Sequence, residues 1–362
     1  MTARNVLVIH LGATNSRSFL FNVTNDRVEL ISSQEILTID DKDLVIESLK
    51  SKHKGEFGES IVIDNDRAEQ EAFLAAVKLT SGDCDCLAID LGSKKTYVGE
   101  GSFGRVKFQK YELGVGERVM EVLKDGSTDG IARFLSSPWK FADIENHLGQ
   151  ISLYPGIVPA TADYLELTQS AARAVLANQQ STINGQQFTK VFLSGAVFGK
   201  APELGQALLT FLDGLEPEGA FQVFIDQKLL FIALGALAST TNHQLPTTYQ
   251  FTNLGSVFVL SHQHPEGVTI ASLDLDLGLD EKLEVEVKSG EILRMPFSEE
   301  SFGVVKLGLR SGVEVAGGKQ KLKVEGGTLG LVIDARGRPL PKIPLNEEGR
   351  QKLKHWREGL EG

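Results

Sequence analysis

Hydrophobic and polar positions divide the chain into three stretches with different periods. In the first, Val6-Leu7-Val8-Ile9, Ile61-Val62-Ile63 and Leu87-Ala88-Ile89 are uninterrupted apolar runs. That is the pattern of strands covered on both faces. Segments near Asp43–Lys50 and Arg67–Leu79 read as the helices between them. In the second stretch, Leu165, Thr168, Ala172, Val175 and Leu176 keep helical spacing behind Thr161, a good capping residue. Leu204, Ala207, Leu208, Phe211 and Leu212 form a further helical stripe, which should stop before Gly214, a residue type that favours helix ends. The third stretch, Tyr249 to Pro339, carries strict alternation in Leu273-Asp274-Leu275-Asp276-Leu277 and Leu283-Glu284-Val285-Glu286-Val287, with Leu322 to Val324 as another short strand. Period two predicts a half-exposed antiparallel sheet. Leu353, Trp356 and Leu360 place one apolar face on a last helix.

Two strand–turn–strand units, His10–Arg17 and Asp90–Thr96, share the shape x-Leu-Gly-small and lie 80 residues apart. Such a repeat predicts two related lobes. The expected division is a first lobe over 1–85 and a second over 86–244 with a returning helix at 228–239. A β-rich domain at 245–342 and a terminal helix at 343–362 follow, and the boundary falls in the Thr/Asn/Pro segment Ser239–Thr248.

The 362 residues are enough for two or three domains at about 150 residues each. Hydrophobic residues make up 41%, too many for a disordered chain. The net charge of −11 and a pI near 5.2 argue against nucleic-acid or anionic-membrane binding. The two cysteines, Cys84 and Cys86, are too close for an unstrained disulfide and read as packing thiols. Leu229 to Ala238 gives ten apolar residues where a membrane span needs about 20. Val6 to Leu11 is too short, and interrupted by His10, to be a leader. The expected location is cytoplasmic.

A Gly-containing turn between strands presents backbone N–H groups to an anion, and small residues let a ligand reach them. Gly12 and Thr14 in the first turn, and Asp90, Gly92, Ser93 and Thr96 in the second, are therefore candidate phosphate contacts. Asp90 is also the candidate for holding a metal-bound water. A third small-residue turn, Gly195-Ala196-Val197, ends the buried run Val191-Phe192-Leu193-Ser194 and completes the candidate site.

In order and shape these three turns resemble the first phosphate, second phosphate and adenosine motifs of the actin-like ATPase superfamily of actin, Hsp70-type chaperones and sugar kinases. The helix at 228–239, with Gly235-Ala236-Leu237-Ala238, resembles its second connecting helix. The resemblance implies a two-lobed, ribonuclease H-like α/β core that binds ATP or ADP with magnesium.

From Ala88 onward the chain also resembles the glutamate mutase-associated MutL (GlmL) family. The likeness is carried by Ser152-Leu153-Tyr154-Pro155 with Ile157-Val158-Pro159-Ala160-Thr161, and by Ser194-Gly195-Ala196-Val197-Phe198 with Ala201-Pro202. It continues in Gln206–Leu209, in Leu212–Gly219, in Leu234–Ala238 and in Gly326–Leu340. Members are taken to be chaperones or reactivases of adenosylcobalamin-dependent glutamate mutase, so the resemblance implies mutase subunits as partners. Against the superfamily pattern, His10 stands where an Asp is usual, Lys94-Lys95 replaces small residues and Tyr97 replaces an Asp. These changes imply at most a weak ATPase. The alternative is a non-hydrolysing actin-like scaffold for self-association or complex assembly. A small-molecule kinase lacks a clear catalytic Asp in these segments.

Other residues have plainer readings. His10 reads as a buried, satisfied strand-end histidine rather than a catalytic one. His262 and His264 lack a third ligand and read as a solvated turn. Asp274 and Asp276 read as the outer face of a strand. Arg336 and Arg338 either grip an acidic partner or decorate a hairpin.

Overall fold

A computed structural model describes residues 4–24, 27–55, 57–82, 84–123, 128–183, 186–241, 251–276 and 282–361. The first lobe is a sheet of β1 (Arg4–Leu11), β2 (Asn15–Val23), β3 (Val28–Leu37) and β4 (Glu59–Ile63), in the order β3-β2-β1-β4. β1 runs antiparallel to β2 and parallel to β4. The apolar run of β1 is explained by its two coverings. Leu7 and Ile9 pack with Val45 and Leu49 of α1 (Lys42–Ser51), while Val6 and Val8 join a cluster with Phe73 and Val77 of α2 (Asp66–Ser81). Asp41 and Asn65 cap these helices by accepting the N–H groups of Leu44 and Ala68.

The second lobe repeats the order. β5 (Cys86–Leu91), β6 (Thr96–Ser102) and β7 (Arg105–Tyr111) precede a 3-10 turn at Val119–Leu123 and the helices α3 (Asp129–Ala132), α4 (Phe141–Leu153), α5 (Ala162–Ala177) and α6 (Gln180–Ile183). Then come β8 (Lys190–Ser194), α7 (Ala196–Gly199), α8 (Leu204–Leu215), β9 (Gly219–Ile225) and α9 (Phe231–Thr241). The strands lie β7-β6-β5-β8-β9, the first lobe's order with one strand more. The α/β class and two-lobed core expected from the sequence are present.

The returning helix α9 crosses to the first lobe and packs against α2. A Cβ on Gly235 would stand 1.9 Å from the Ala72 carbonyl oxygen, so only glycine allows this approach. Gly214 is a correction: it lies inside α8, which runs to Leu215 and ends at the left-handed Glu216. A Cβ on Gly214 would meet Leu176 at 2.7 Å, so this glycine serves the contact with α5 and not a helix end.

The β-rich segment follows as β10 (Thr252–Val259), β11 (Thr269–Asp276), β12 (Lys282–Lys288), β13 (Ile292–Met295), β14 (Phe302–Leu309), β15 (Lys321–Glu325) and β16 (Gly330–Asp334). Its strands serve two sheets. β10, β16 and β13 extend the second lobe's sheet to eight strands, and β12-β11-β14-β15 form a third sheet. The two layers share a core in which Phe258, Leu331 and Ile333 meet Leu273, Val305 and Val324. Asp274 faces outward, as period two requires, whereas Leu277 and residues 242–250, where the boundary was expected, lie outside the described residues. The terminal helix α10 (Glu347–Glu361) buries Leu353, Trp356 and Leu360 against the second lobe. Among the described residues no helix is long and apolar enough to cross a membrane.

Candidate functional site in the interlobe cleft

The two Gly turns are built alike. In the first hairpin Leu11 faces Ser16, and in the second Leu91 faces Thr96, so each turn has four loop residues and His10–Arg17 is the counterpart of Asp90–Tyr97. A Cβ on Gly12 would come within 2.5 Å of the Asn15 carbonyl, and one on Gly92 within 2.9 Å of the Lys95 carbonyl. Both turns need glycine at the same place. In the third turn Gly195 has φ +102°, and a Cβ there would lie 2.2 Å from the Leu91 carbonyl. The third turn therefore rests on the end of β5 beside the second. All three open into one cavity of about 680 Å³ between the lobes, to which Pro155, Leu229 and Ile232 also contribute.

The candidate residues do not all reach this cavity. Gly12, Thr14, Asp90, Gly92, Ser93, Gly195 and Ala196 line it. Thr96 is buried beneath the second turn and donates to the Leu113 carbonyl at 2.7 Å, while Val197 packs into the second-lobe core. The Ser93 hydroxyl is turned toward the loop at 113–117, where it accepts the Glu117 N–H at 3.0 Å. Hydroxyl residues thus stand at the right places in the sequence, but only Thr14 presents its oxygen unused. Thr14 Oγ1 and Arg17 Nε are buried atoms with no hydrogen-bond partner among the described residues, and both residues line the cavity.

Charged groups that the motifs did not reveal fill the centre. Glu69, on the first turn of α2, stands 3.5 Å from His10 Nε2 and 2.5 Å from Lys95 Nζ. Lys95 also meets Asp66 at 2.5 Å, and Asp66 meets Lys110 at 2.6 Å. These pairs join the second lobe's turn to the first lobe's helix. Burial alone would raise Glu69, but His10 and Lys95 hold it below its ordinary value. The hydrogen bond from Lys110, then that from Lys95, draws Asp66 down to about 2. Lys95 loses by burial and gains more from Asp66 and Glu69, so its ammonium is held firmly charged. Asp90 goes the other way, raised by burial and then by the Glu69 charge. Asp226 behind it is pushed up to about 6 by burial, accepts from Ser194 Oγ at 3.1 Å, and caps α9 through the N–H groups of Leu230 and Phe231. The acidic start of α2 was visible in the sequence, but its role needs the other lobe to be in place.

This lining suits the phosphates of a nucleotide: an unpartnered hydroxyl, an unpartnered guanidinium N–H and glycine turns. A hydrated magnesium ion beside the phosphates would depend on Asp90, which lines the cavity. Among the described residues no three His, Cys, Asp or Glu side chains are grouped to hold a metal ion. Of the neighbouring carboxylates, Glu69 and the exposed Asp66 are already paired with cations.

Outside the cleft, three expectations change or sharpen. His262 is buried, not solvated. Its Nε2–H donates to the Ala335 carbonyl at 2.9 Å and its Nδ1 accepts the His264 N–H. Arg336 and Arg338 neither grip a partner nor decorate a surface, because both are buried in a network with Asp334 and Asp213. Cys84 and Cys86 are free thiols, and burial pushes Cys86 up to about 11.

No protein-family profile matches the chain, and no curated protein is significantly similar to it in sequence. Solved structures do align with it. One is the activator of the 2-hydroxyisocaproyl-CoA dehydratase from Clostridium difficile with bound ADPNP, 13% identical, with a TM-score of 0.39 over 64% of this chain and 92% of that one. Another is (R)-2-hydroxyglutaryl-CoA dehydratase component A from Acidaminococcus fermentans, 13% identical, with a TM-score of 0.40 over 67% and 98%. A third is the ethanolamine utilization protein EutJ from Carboxydothermus hydrogenoformans, 12% identical, with a TM-score of 0.39 over 66% and 90%.

Proposed function

We propose that this chain is a nucleotide-binding accessory protein that holds ATP or ADP in the interlobe cavity and passes the resulting lobe movement to a partner protein. The observation that carries the reading is the pair of unsatisfied donors, Thr14 Oγ1 and Arg17 Nε, in a cavity walled by three glycine turns from both lobes. A buried donor without a partner costs free energy that a phosphate oxygen would recover. In this reading the first and second turns hold phosphates and the Gly195 turn lies beside the nucleoside.

The lobes meet at the cleft mouth. A Cβ on Gly156 would lie 3.3 Å from Leu37 of the first lobe and 3.4 Å from the Thr14 methyl. Leu37, Leu153, Tyr154, Ile157 and Val158 stand exposed around this contact. A ligand that draws the lobes together would rearrange these apolar side chains, a way for the cavity to signal outward. The proposed partner, from the sequence resemblance, is a subunit of an adenosylcobalamin-dependent mutase, and activity on ATP itself is at most weak.

The test is calorimetric titration of the full chain with ATP and ADP, repeated on Thr14→Val, followed by co-sedimentation with a purified cobalamin-dependent mutase with and without nucleotide. The reading expects saturable binding, weaker in Thr14→Val, and mutase capture that changes with nucleotide. Absence of any nucleotide binding sinks it. Self-association indifferent to nucleotide would favour the scaffold alternative.

A further inference from the structure

We propose that the outer face of the third sheet is an interface on which two copies of this chain pair about a twofold axis running along the strands. The inner face of that sheet is apolar and buried, with Leu273 of β11, Val305 of β14 and Val324 of β15 in the shared core. Period two then turns the alternate residues outward. In one row across the sheet, Glu284 of β12 lies opposite Asp274 of β11, Asp274 opposite Lys306 of β14, and Lys306 opposite Lys321 of β15. All of them are exposed. From β12 to β15 the row therefore reads acid, acid, base, base. Glu286, the next outward residue of β12, and Lys323, the next of β15, are exposed and keep the division. Among the described residues none of these side chains takes part in an ion pair.

A face meant only for water would gain by alternating its charges, since like charges directly opposite on neighbouring strands repel. Here the acids stand side by side, as do the lysines, so each half carries a repulsion that a surface of opposite sign removes. A second copy, turned by half a revolution about an axis along the strands between β11 and β14, is such a surface. It lays β14 of one copy over β11 of the other, and β15 over β12. Lys306 then meets Asp274 and Lys321 meets Glu284, each pair formed twice. An axis across the strands would set acid on acid, so charge selects one arrangement. Packed sheets lie about 10 Å apart, within reach of lysine and carboxylate side chains extended from both sides. Phe302 and Val304, exposed on the same face of β14, add an apolar end. Strands about 4.8 Å apart, with about eight residues at about 3.3 Å each, give about 500 Å² per copy for this sheet of four. The total of about 1,000 Å² is at the small end of specific interfaces, so the pair should be weak and sensitive to salt.

The experiment is sedimentation equilibrium of the full chain without nucleotide, at loadings up to about 400 µM, in about 0.1 M and about 0.5 M sodium chloride. At the lower salt the general repulsion between two chains of net charge −11 is screened beyond about 10 Å, while facing pairs are not. Wild type should there approach twice the chain mass of 39.4 kDa, with a dissociation constant below about 100 µM. The higher salt should raise that constant about tenfold or more. Two charge-reversed proteins, each checked for folding by circular dichroism, complete the test. Lys306→Glu with Lys321→Glu makes the row wholly acidic, and Asp274→Lys with Glu284→Lys makes it wholly basic. Each alone should pair at least about tenfold more weakly than wild type, and an equal mixture of the two should recover the dimer. A wild type that stays monomeric at the lower salt, a dimer indifferent to either reversal, or variants that stay apart when mixed would each overturn the proposal. None of these residues lines the cleft cavity, so the nucleotide titration is decided separately.

Discussion

Replacing Asp334 by Asn should cost the protein about 3–5 kcal/mol, because it breaks a fully buried ion network on one side only. Asp334 accepts from Arg336 Nε at 2.9 Å, from Arg336 Nη2 at 2.8 Å and from Arg338 Nη2 at 2.7 Å. Arg336 in turn reaches Asp213 at 2.7 Å, and Asp213 reaches Arg173 at 2.8 Å. Arg336 also lies 4.8 Å over the Trp356 ring, so the network joins α5, α8, the end of β16 and α10. An Asn would keep the volume but turn an NH2 group toward one guanidinium and leave both with a charge unmet in a dry interior. The assay is thermal melting at several pH values. At about 2–4 °C per kcal/mol for chains of 150–250 residues, somewhat less here, the loss should read as a fall of several degrees. The pH dependence has a definite sign. Burial alone would raise Asp334, but Arg336 and Arg338 overcome it and hold the carboxyl far below its unfolded value near ~3.9. A depressed carboxyl contributes stability above its unfolded pKa and loses it as the pH falls through the folded one. The gap between wild type and Asp334→Asn should therefore be widest at neutral pH and shrink below about pH 4. A gap under about 1 kcal/mol, or one equal at neutral and acid pH, would refute the reasoning.

Gly235→Val drives a side chain into the Ala72 carbonyl and should lower the melting temperature by several degrees, since overpacking costs about 1–3 kcal/mol or more. An unchanged melting curve would mean that α2 and α9 do not touch as described. Gly195→Ala meets both a positive φ and the Leu91 carbonyl, so it should lower stability and weaken ATP binding together, read by melting and calorimetry on one preparation. Thiol labelling under native conditions should modify Cys84 well ahead of Cys86, which is buried with its pKa pushed up to about 11; equal rates would contradict that burial. Lys200→Ala removes an exposed cross-lobe pair with Glu35 and should change stability by about 1 kcal/mol at most, measurable as a small shift in a urea midpoint.

The parts of the fold that local pattern dictates were legible. The apolar runs gave β1 and β5, the alternation gave β11 and β12, and the paired Gly turns foretold a duplication that the hairpin registers repeat residue for residue. What stayed hidden depends on partners distant in the chain. Gly214 looks the same in sequence whether it ends a helix or admits Leu176. Arg336 reads as a surface residue until Asp213, more than a hundred positions earlier, is brought beside it. In the cleft, residue type located the turns but not the direction of the hydroxyls. Ser93 and Thr96 bond to the loop at 113–117, and only the Thr14 hydroxyl is left without a partner. Glu69 escaped notice, and Lys95 stood out only as a departure from the turn's usual small residues, because their meeting is a product of lobe packing, which neither turn encodes alone.

The most direct test of the central claim is the melting temperature of the full chain with and without saturating ATP, repeated on Arg17→Gln. Ligand at about 100 times its dissociation constant adds about 2.7 kcal/mol to a protein that binds it only when folded. Wild type should therefore melt several degrees higher with ATP, and Arg17→Gln should lose most of that rise. No rise in wild type, or an equal rise in both proteins, would contradict a nucleotide site between the lobes.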